Sequence, residues 1–209
     1  IAFFIGQWLY GFAAICLFEL LNPFVEIAFG KNYLFTKEIV LILCINFFIN
    51  GTRKAALTFR DSMGLFWFDR YKAIVEAILN LVISLVLVSR FGTFGVFAGT
   101  FFSTMLTSVW VEPYVLYRHR LNRSPYRFYL QYFIYALGIG VAWLITDVVC
   151  GMVQGNVIVQ LVVRLGICVV IPNVLLLLFY FRKQEFQKVI RIAKRIIKNR
   201  RPVHGTTVE

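Results

Sequence analysis

The chain contains few of the side chains that carry out acid–base or metal chemistry. Only two of its 209 residues are histidine, His119 and His204, and Asp and Glu together number 10. No GxSxG elbow, no Walker-type loop and no metal-ligand spacing of histidines occurs in the sequence. The four cysteines stand alone in apolar runs without CxxC spacing, which is typical of packing residues; they are Cys16, Cys44, Cys150 and Cys168. We therefore expect no enzymatic activity, no metal and no cofactor.

Charged residues are also scarce, at 15% of the chain, whereas 60% of the residues are hydrophobic and 17% are aromatic. The mean hydropathy of +0.76 is far above that of a soluble domain. This composition predicts a polytopic membrane protein. The sequence begins at Ile1 without an initiator methionine, a basic n-region or a signal cleavage site, so we expect a C-terminal fragment that starts inside a helix.

Six segments are long enough to cross about 30 Å of hydrocarbon, and short loops join them. They are residues 1–29, 38–60, 71–89, 93–117, 128–149 and 157–181. The expected fold class is therefore an all-α membrane bundle of six transmembrane helices, which forms one lobe over 1–181. Residues 182–209 form a basic tail in which Phe186, Val189 and Ile190 share one helical face opposite Lys and Arg. This pattern predicts an amphipathic helix on an anionic membrane surface.

The formal net charge of +12 indicates how the chain is oriented in the membrane rather than a nucleic-acid partner. Eighteen of the 22 Lys and Arg residues fall on one side of the predicted membrane, around the second connection, in 118–127 and in 182–201. The residues predicted on the other side are Lys31, Lys37 and Arg90, with Arg164 inside the last span. The positive-inside rule then places both ends of the chain in the cytoplasm.

Two of the predicted helices each carry one polar stripe. In the predicted span 38–60 the stripe consists of Asn46, Asn50, Arg53 and Arg60, which lie at helical spacing. In the span 71–89 it consists of Lys72, Glu76, Asn80 and Ser84, which repeat every four residues. The stripes either line one shared wet cavity or join helices by hydrogen bonds. An arginine at membrane depth favours the cavity, because an unpaired charge in lipid is costly. Arg60 and Arg70 lie nearer the membrane edge and could extend to the interface.

Five further charged residues lie in the predicted spans. Glu19 and Glu26 share one face near the outer end of the first helix, where they could bind a proton or Na⁺ or simply be solvated. Asp147 and Arg164 lie in antiparallel neighbours, and we expect a structural ion pair between them. Glu112-Pro113 is expected to break the fourth helix near its cytoplasmic end.

Several runs of this sequence resemble a known transporter family. They are Arg60-Asp-Ser-Met-Gly-Leu-Phe-Trp-Phe-Asp-Arg-Tyr-Lys72, then Glu76-Ala-Ile-Leu-Asn80, Phe91-Gly-Thr-Phe-Gly-Val-Phe-Ala-Gly-Thr100 and Trp110-Val-Glu-Pro-Tyr-Val-Leu-Tyr117. They look like the C-terminal half of bacterial polysaccharide flippases of the Wzx type over about residues 30–120, and the rest of the chain resembles that family by hydropathy. The resemblance implies a two-lobed bundle related to multidrug (MATE) and lipid II flippases.

Wzx-type proteins move undecaprenyl-diphosphate-linked oligosaccharide repeat units across the inner membrane for O-antigen, capsule or exopolysaccharide assembly. The resemblance implies this substrate here, with anionic lipids, H⁺ or Na⁺, a polysaccharide polymerase and glycosyltransferases as further partners. A basic cavity suits a diphosphate and sugars. The substrate cavity is expected to be lined by the polar positions Asn46, Asn50, Arg53, Arg60, Arg70, Glu76 and Asn80.

Two alternatives to this reading stay open. The acidic residues Glu19, Glu26 and Glu76 are also compatible with a MATE-type multidrug exporter or another lipid-linked exporter, such as one for lipid II. A membrane scaffold of polysaccharide assembly would instead use the polar stripes only for helix packing.

Overall fold

The computed structural model describes residues 2–67, 70–118, 124–181 and 183–199, and in these ranges the chain is almost entirely helical, without a β-strand. The described helices are α1 (Ala2–Phe29), α2 (Lys37–Ser62), α3 (Lys72–Phe91), α4 (Thr93–Leu106), α5 (Ser108–Leu116), α6 (Tyr126–Gly151), α7 (Val157–Tyr180) and α8 (Gln184–Asn199). Two short 3₁₀ helices, Lys31–Tyr33 and Leu65–Trp67, lie in the first two connections. His119 and His204, and the tail from residue 200 on, lie outside the described residues.

Six helical segments are long and apolar enough to cross a membrane, which confirms the expected all-α fold class. Five of them are single helices, and the fourth, Thr93–Leu116, consists of α4 and α5. The predicted boundaries agree with the helices to within a few residues, because the ends of each apolar run coincide with turn residues and charges. The chain is thus a multi-pass membrane protein.

The fourth span is interrupted at a different place from the one expected. Pro113 lies inside α5, and the helix is broken upstream at Thr107, whose backbone has φ −115° and ψ −80°. The Thr107 hydroxyl donates a hydrogen bond of 2.6 Å to the Ser103 carbonyl, and the Ser103 hydroxyl donates to the Thr100 carbonyl. Side-chain hydroxyls that bond back to the preceding turn bend helices. Pro113 adds to this effect upstream, because it cannot donate to a carbonyl one turn before it.

The bundle is built around the antiparallel pair α1 and α2. The α3–α4 hairpin packs on α2, and α6 and α7 pack on α1. Short connections join successive spans, so the spans alternate in direction. One end of the bundle therefore contains the starts of α1, α3 and α6 and the ends of α2, α5 and α7. We call this the basic end, since it includes Arg60, Arg70, Lys72, Arg118 and Arg127.

Aromatic residues fill the core at the basic end. Phe4 contacts Tyr135 and Tyr180 edge to face, with ring centroids 5.8 and 5.6 Å apart. The helix α8 is anchored there, because Phe186 stacks on Trp8 at 5.9 Å and Val189 packs against the same core. The amphipathic helix that the tail pattern predicts therefore forms, and it contacts the bundle through Phe186 and Val189.

Helix α3 lies at the edge of the bundle and has no buried residue among its positions. Its large apolar side chains, such as Ile78, Leu81 and Leu85, are about 60% exposed. An apolar surface of this extent is typical of a helix that faces lipid or another membrane segment. The exposed surface is consistent with the multi-pass assignment.

Candidate functional site

Four charged side chains meet between α2, α3 and α5 near the basic end, and we call them the charge cluster: Arg53, Lys72, Glu76 and Glu112. Arg53 lies nine residues before the end of α2, which corresponds to roughly 14 Å along the helix. All four groups are largely withdrawn from water, with side-chain exposures between 0 and 22%. Charges at such depth are found where they are paired and often where they serve a transport pathway.

Glu112 is the centre of the cluster, and its side chain is fully buried. Arg53 donates to it through two nitrogens, Nε to Oε2 at 3.1 Å and Nη2 to Oε1 at 2.6 Å. Lys72 Nζ donates to the same Oε1 at 2.5 Å. The fork of the guanidinium matches the two oxygens of a carboxylate, and this bidentate geometry is the strongest form of such a bond.

Glu76 closes the cluster on the side of α3. Thr104 donates to its Oε1 at 3.0 Å and Ser108 donates to its Oε2 at 2.6 Å. Arg53 Nη1 lies 3.6 Å from Oε1. Two cations thus face two carboxylates, so the four side chains sum to zero charge. This balance lowers the cost of keeping them inside an apolar bundle.

The asparagines of the predicted stripes have different hydrogen-bond partners. Asn50 is part of the cluster, because its Oδ1 accepts a hydrogen bond of 2.9 Å from Arg53 Nη1. Asn46 donates to the Phe97 carbonyl of α4 at 2.9 Å, and Asn80 lies 3.4 Å from the Thr100 hydroxyl. The last two bonds join neighbouring helices. These bonds are what the alternative of helix packing predicts for Asn46 and Asn80.

Arg60 and Arg70, which were also expected to line the cavity, lie closer to the end of the bundle. Arg60 donates to Asp61 Oδ1 through Nε and Nη2, at 2.9 and 2.7 Å. The guanidinium of Arg70 stacks on the Trp67 ring at 3.8 Å and lies 4.6 Å from the centre of the Tyr71 ring. Arg70 is exposed, so that it can attract anions from solution, whereas the Arg60 side chain is only 16% exposed.

An apolar pocket of about 330 Å³ adjoins the charge cluster. Its lining comes from the basic ends of four helices and includes Phe4, Phe59, Met63 and Leu116. A second, much smaller space of about 20 Å³ contains Arg53 and Glu112 in its wall. The two spaces share the lining residues Phe3, Ala56, Pro113 and Phe128. The bundle therefore places an apolar pocket directly beside a buried ion pair.

The predicted ion pair between Asp147 and Arg164 is not formed. Both residues line one small pocket near the opposite end of the bundle, so α6 and α7 meet there as expected. The described ion pairs do not, however, include one between them. A third charged group, Glu19 of α1, lines the same pocket.

Sequence reasoning missed the central residue of the charge cluster. Glu112 was interpreted only as part of a helix break, and Lys72 only as a stripe residue. A signal was present, because a glutamate inside an apolar span requires a cation nearby. Arg53 was the obvious candidate, since it was the deepest cation predicted at the same end.

No group of three or more His, Cys, Asp or Glu is placed to hold a metal ion within the part of the chain that the structure describes. Comparison with known proteins found no matching family model, no matching curated protein and no matching solved structure.

Proposed function

We propose that this chain is the C-terminal transmembrane lobe of a flippase that moves undecaprenyl-diphosphate-linked oligosaccharide repeat units across the bacterial inner membrane. Transport would proceed by alternating access and serve O-antigen, capsule or exopolysaccharide assembly. In this proposal the basic end and both ends of the chain are cytoplasmic, in accordance with the distribution of Lys and Arg. The single observation that carries the proposal is the buried charge cluster beside an apolar pocket.

The cluster supplies donors suited to a diphosphate. Arg53 already presents two N–H groups in the parallel arrangement that binds carboxylate and phosphate alike, and Lys72 adds a third donor on the same oxygen. In the described state these donors are occupied by Glu112. A diphosphate would compete with Glu112 for them, so the carboxylate acts as an internal substitute for the substrate.

The same competition provides a means of conformational change. Glu112 of α5 is joined to Arg53 of α2 and to Lys72 of α3, so these bonds hold three helices together. A ligand shifts a conformational equilibrium only through different affinities for the two states. Replacement of Glu112 by the diphosphate would release α5, whereas Arg53 and Lys72 would stay linked through the substrate. The substrate would thereby favour rearrangement of α5 against α2 and α3.

The apolar pocket complements this head-group site. A lipid-linked substrate has a charged head and a hydrocarbon chain, and the pocket of about 330 Å³ lies next to the cations at the same end of the bundle. Its aromatic and aliphatic lining favours part of a hydrocarbon chain over sugar or water.

Complementation of polysaccharide production tests the proposal, in a strain that lacks its own flippase and expresses the natural full-length protein. Arg53→Ala should abolish most production, because removal of a charged hydrogen bond costs about 1.5–3 kcal/mol. Arg53→Lys should retain part of it, since the charge remains while the bidentate fork is lost.

The matched control is Lys54→Ala. Lys54 is the next residue of α2, but it is exposed and lies 5.7 Å from the Tyr10 ring, outside the cluster. Its replacement should leave production unchanged at equal expression. Wild-type production by Arg53→Ala at matched expression would contradict the proposal.

A membrane scaffold is the second candidate, and the hydrogen bonds of the asparagines favour it. Asn46 and Asn80 bond to groups of α4, as polar residues do when they only join helices. A scaffold would tolerate Arg53→Ala as long as the helices remained packed. The complementation assay therefore separates the two candidates directly.

A further inference from the structure

The end of the bundle opposite the basic end contains a second polar pocket, with a volume of about 110 Å³. Four helices contribute charged or polar side chains to its lining: Glu19 and Asn22 from α1, Lys37 from α2, Asp147 from α6 and Arg164 from α7. The charge cluster does not use any of these residues. The pocket is therefore a separate feature that the proposed substrate site does not explain.

Two buried atoms in this region have unused hydrogen-bonding capacity. Glu19 is only 4% exposed, and its Oε1 has no hydrogen-bond partner among the described residues. The same holds for Arg164 Nε on the facing helix. A buried carboxylate oxygen without a partner is unfavourable, since ionised groups in low-dielectric surroundings need compensation. Protonation removes the charge of Glu19 and turns this oxygen into a hydrogen-bond donor.

The charges around Glu19 do not balance inside the bundle. Glu19 and Asp147 are two carboxyl groups that share the half-buried guanidinium of Arg164. Lys37 is exposed to water at the rim, where solvent screens its charge. The other titratable groups that face Glu19 are the thiols of Cys44 on α2, Cys150 on α6 and Cys168 on α7. With neutral thiols, one negative charge remains uncompensated.

The donor set favours a proton over a metal ion for this charge. Hard metal cations take about six oxygen ligands, whereas this pocket offers two carboxyl groups. Asn22 is already used, because its amide donates to the Phe35 carbonyl at 2.9 Å and accepts from the Phe35 N–H at 3.1 Å. A proton needs one oxygen, and it converts that oxygen into a hydrogen-bond donor.

We propose that Glu19 is a proton-binding site, with Asp147 as the neighbouring carboxylate that disfavours a second negative charge and Arg164 as the counter-charge when the proton has left. A proton from the aqueous phase forms an O–H bond with the unpartnered Glu19 oxygen, and release returns it to water through the pocket. The site does not depend on the proposed flippase activity. In a flippase it would provide the coupling ion.

Glu26, which shares the helix face of Glu19 in the sequence, does not belong to this site. It lies seven residues further along α1 and pairs with Lys31 at 3.7 Å, a cation whose side chain is 82% exposed. The structure thus separates two carboxylates that looked equivalent in sequence. Glu26 provides the matched control for Glu19.

Infrared difference spectroscopy of the purified full-length protein, between buffers of about pH 6 and about pH 9, tests the proposal, because ordinary Asp and Glu side chains, with pKa values of about 4, are already ionised at the lower of these pH values. The C=O stretch of a protonated carboxylic acid shifts in D₂O and is separate from the amide bands. The wild-type protein should lose such a band as the pH rises. Glu19→Gln should lack the band, whereas Glu26→Gln should retain it at full amplitude.

Two results would overturn the proposal: the same band in Glu19→Gln as in the wild type, or no titrating carboxylic-acid band in the wild type. Asp147→Asn gives an independent check if Glu19→Gln fails to fold. It removes the neighbouring negative charge, so the Glu19 band at neutral pH should weaken severalfold, and an unchanged band would contradict a proton that Asp147 helps to retain at Glu19. These spectra contain no lipid-linked substrate, so their outcome is distinguishable from failure of the proposed transport function.

Discussion

Glu112 is the residue on which the charge cluster depends, because it accepts hydrogen bonds from both Arg53 and Lys72 while its own side chain is fully buried. A buried ion pair is weak evidence for net stabilisation, since desolvation offsets most of the attraction. Removal of one partner is different, because it leaves the other charge uncompensated. Loss of Glu112 would leave two cations without their principal acceptor.

We therefore expect Glu112→Ala to lower the free energy of unfolding in detergent or bicelles by about 3–5 kcal/mol. The double variant Glu112→Ala with Arg53→Ala should be less destabilised than the sum of the single variants, with a coupling of about 0.5–3 kcal/mol. Glu38→Ala is the control, since Glu38 is an exposed carboxylate in the first turn of α2 and should change stability by less than about 1 kcal/mol. Additive effects of Glu112 and Arg53 would show that the two residues are not energetically linked.

The α3–α4 hairpin is the element that brings Lys72 and Glu76 to the cluster. Gly92 forms its turn with φ +56°, a conformation that favours glycine. Gly95 and Gly99 then allow close approach of the two helices, because a Cβ atom at these positions would overlap Leu87 and Ser84 of α3. Small residues at such spacings are a common device for packing membrane helices.

Gly99→Ala should lower the free energy of unfolding by about 1–3 kcal/mol, because the added methyl group must push α3 away. Gly166→Ala is the matched control. Gly166 also lies within a helix, but a Cβ there meets no atom within 4 Å among the described residues, so the change should be neutral or stabilising by up to about 1 kcal/mol. Equal stability of the two variants, measured by thermal unfolding, would contradict close packing at Gly99.

The spans could be predicted from the sequence because each depends on a local property, the length of an apolar run between charges and turn residues. The break in the fourth span could not. Pro113 was the local signal for a break, but it lies inside α5 and the helix is interrupted at Thr107. That position depends on how the hydroxyls of Ser103 and Thr107 bond to the preceding turn. Such bonds are not fixed by hydropathy.

The candidate site was predictable only in part, because its contacts depend on which helices pack together in the whole molecule. The depth of Arg53 and the stripe of α3 follow from helical spacing, whereas the partner of Arg53 follows from which helices pack together. Glu112 lies 59 positions away in sequence from Arg53, and Asp147 and Arg164 were paired without Glu19 for the same reason. Helix periodicity assigns a face to a residue but does not assign its neighbour.

At the scale of the whole molecule, the described polar groups concentrate at two separate places in an apolar bundle. The charge cluster lies near the basic end and Glu19 lies near the opposite end, and α1 and α2 extend between the two. A transporter needs both a place for its substrate and a place for its coupling ion. A scaffold needs neither, so movement of a substrate is the property that distinguishes the two candidates.

The most direct measurement of the central claim is flipping by the purified full-length protein in proteoliposomes that contain undecaprenyl-diphosphate-linked oligosaccharide. Access of an external lectin to the sugar reports movement from the inner leaflet to the outer one. The account predicts faster lectin access than in protein-free vesicles, with most of the increase lost in Arg53→Ala and all of it retained in Lys54→Ala. Lectin access by the wild-type protein at the rate of protein-free vesicles would contradict it.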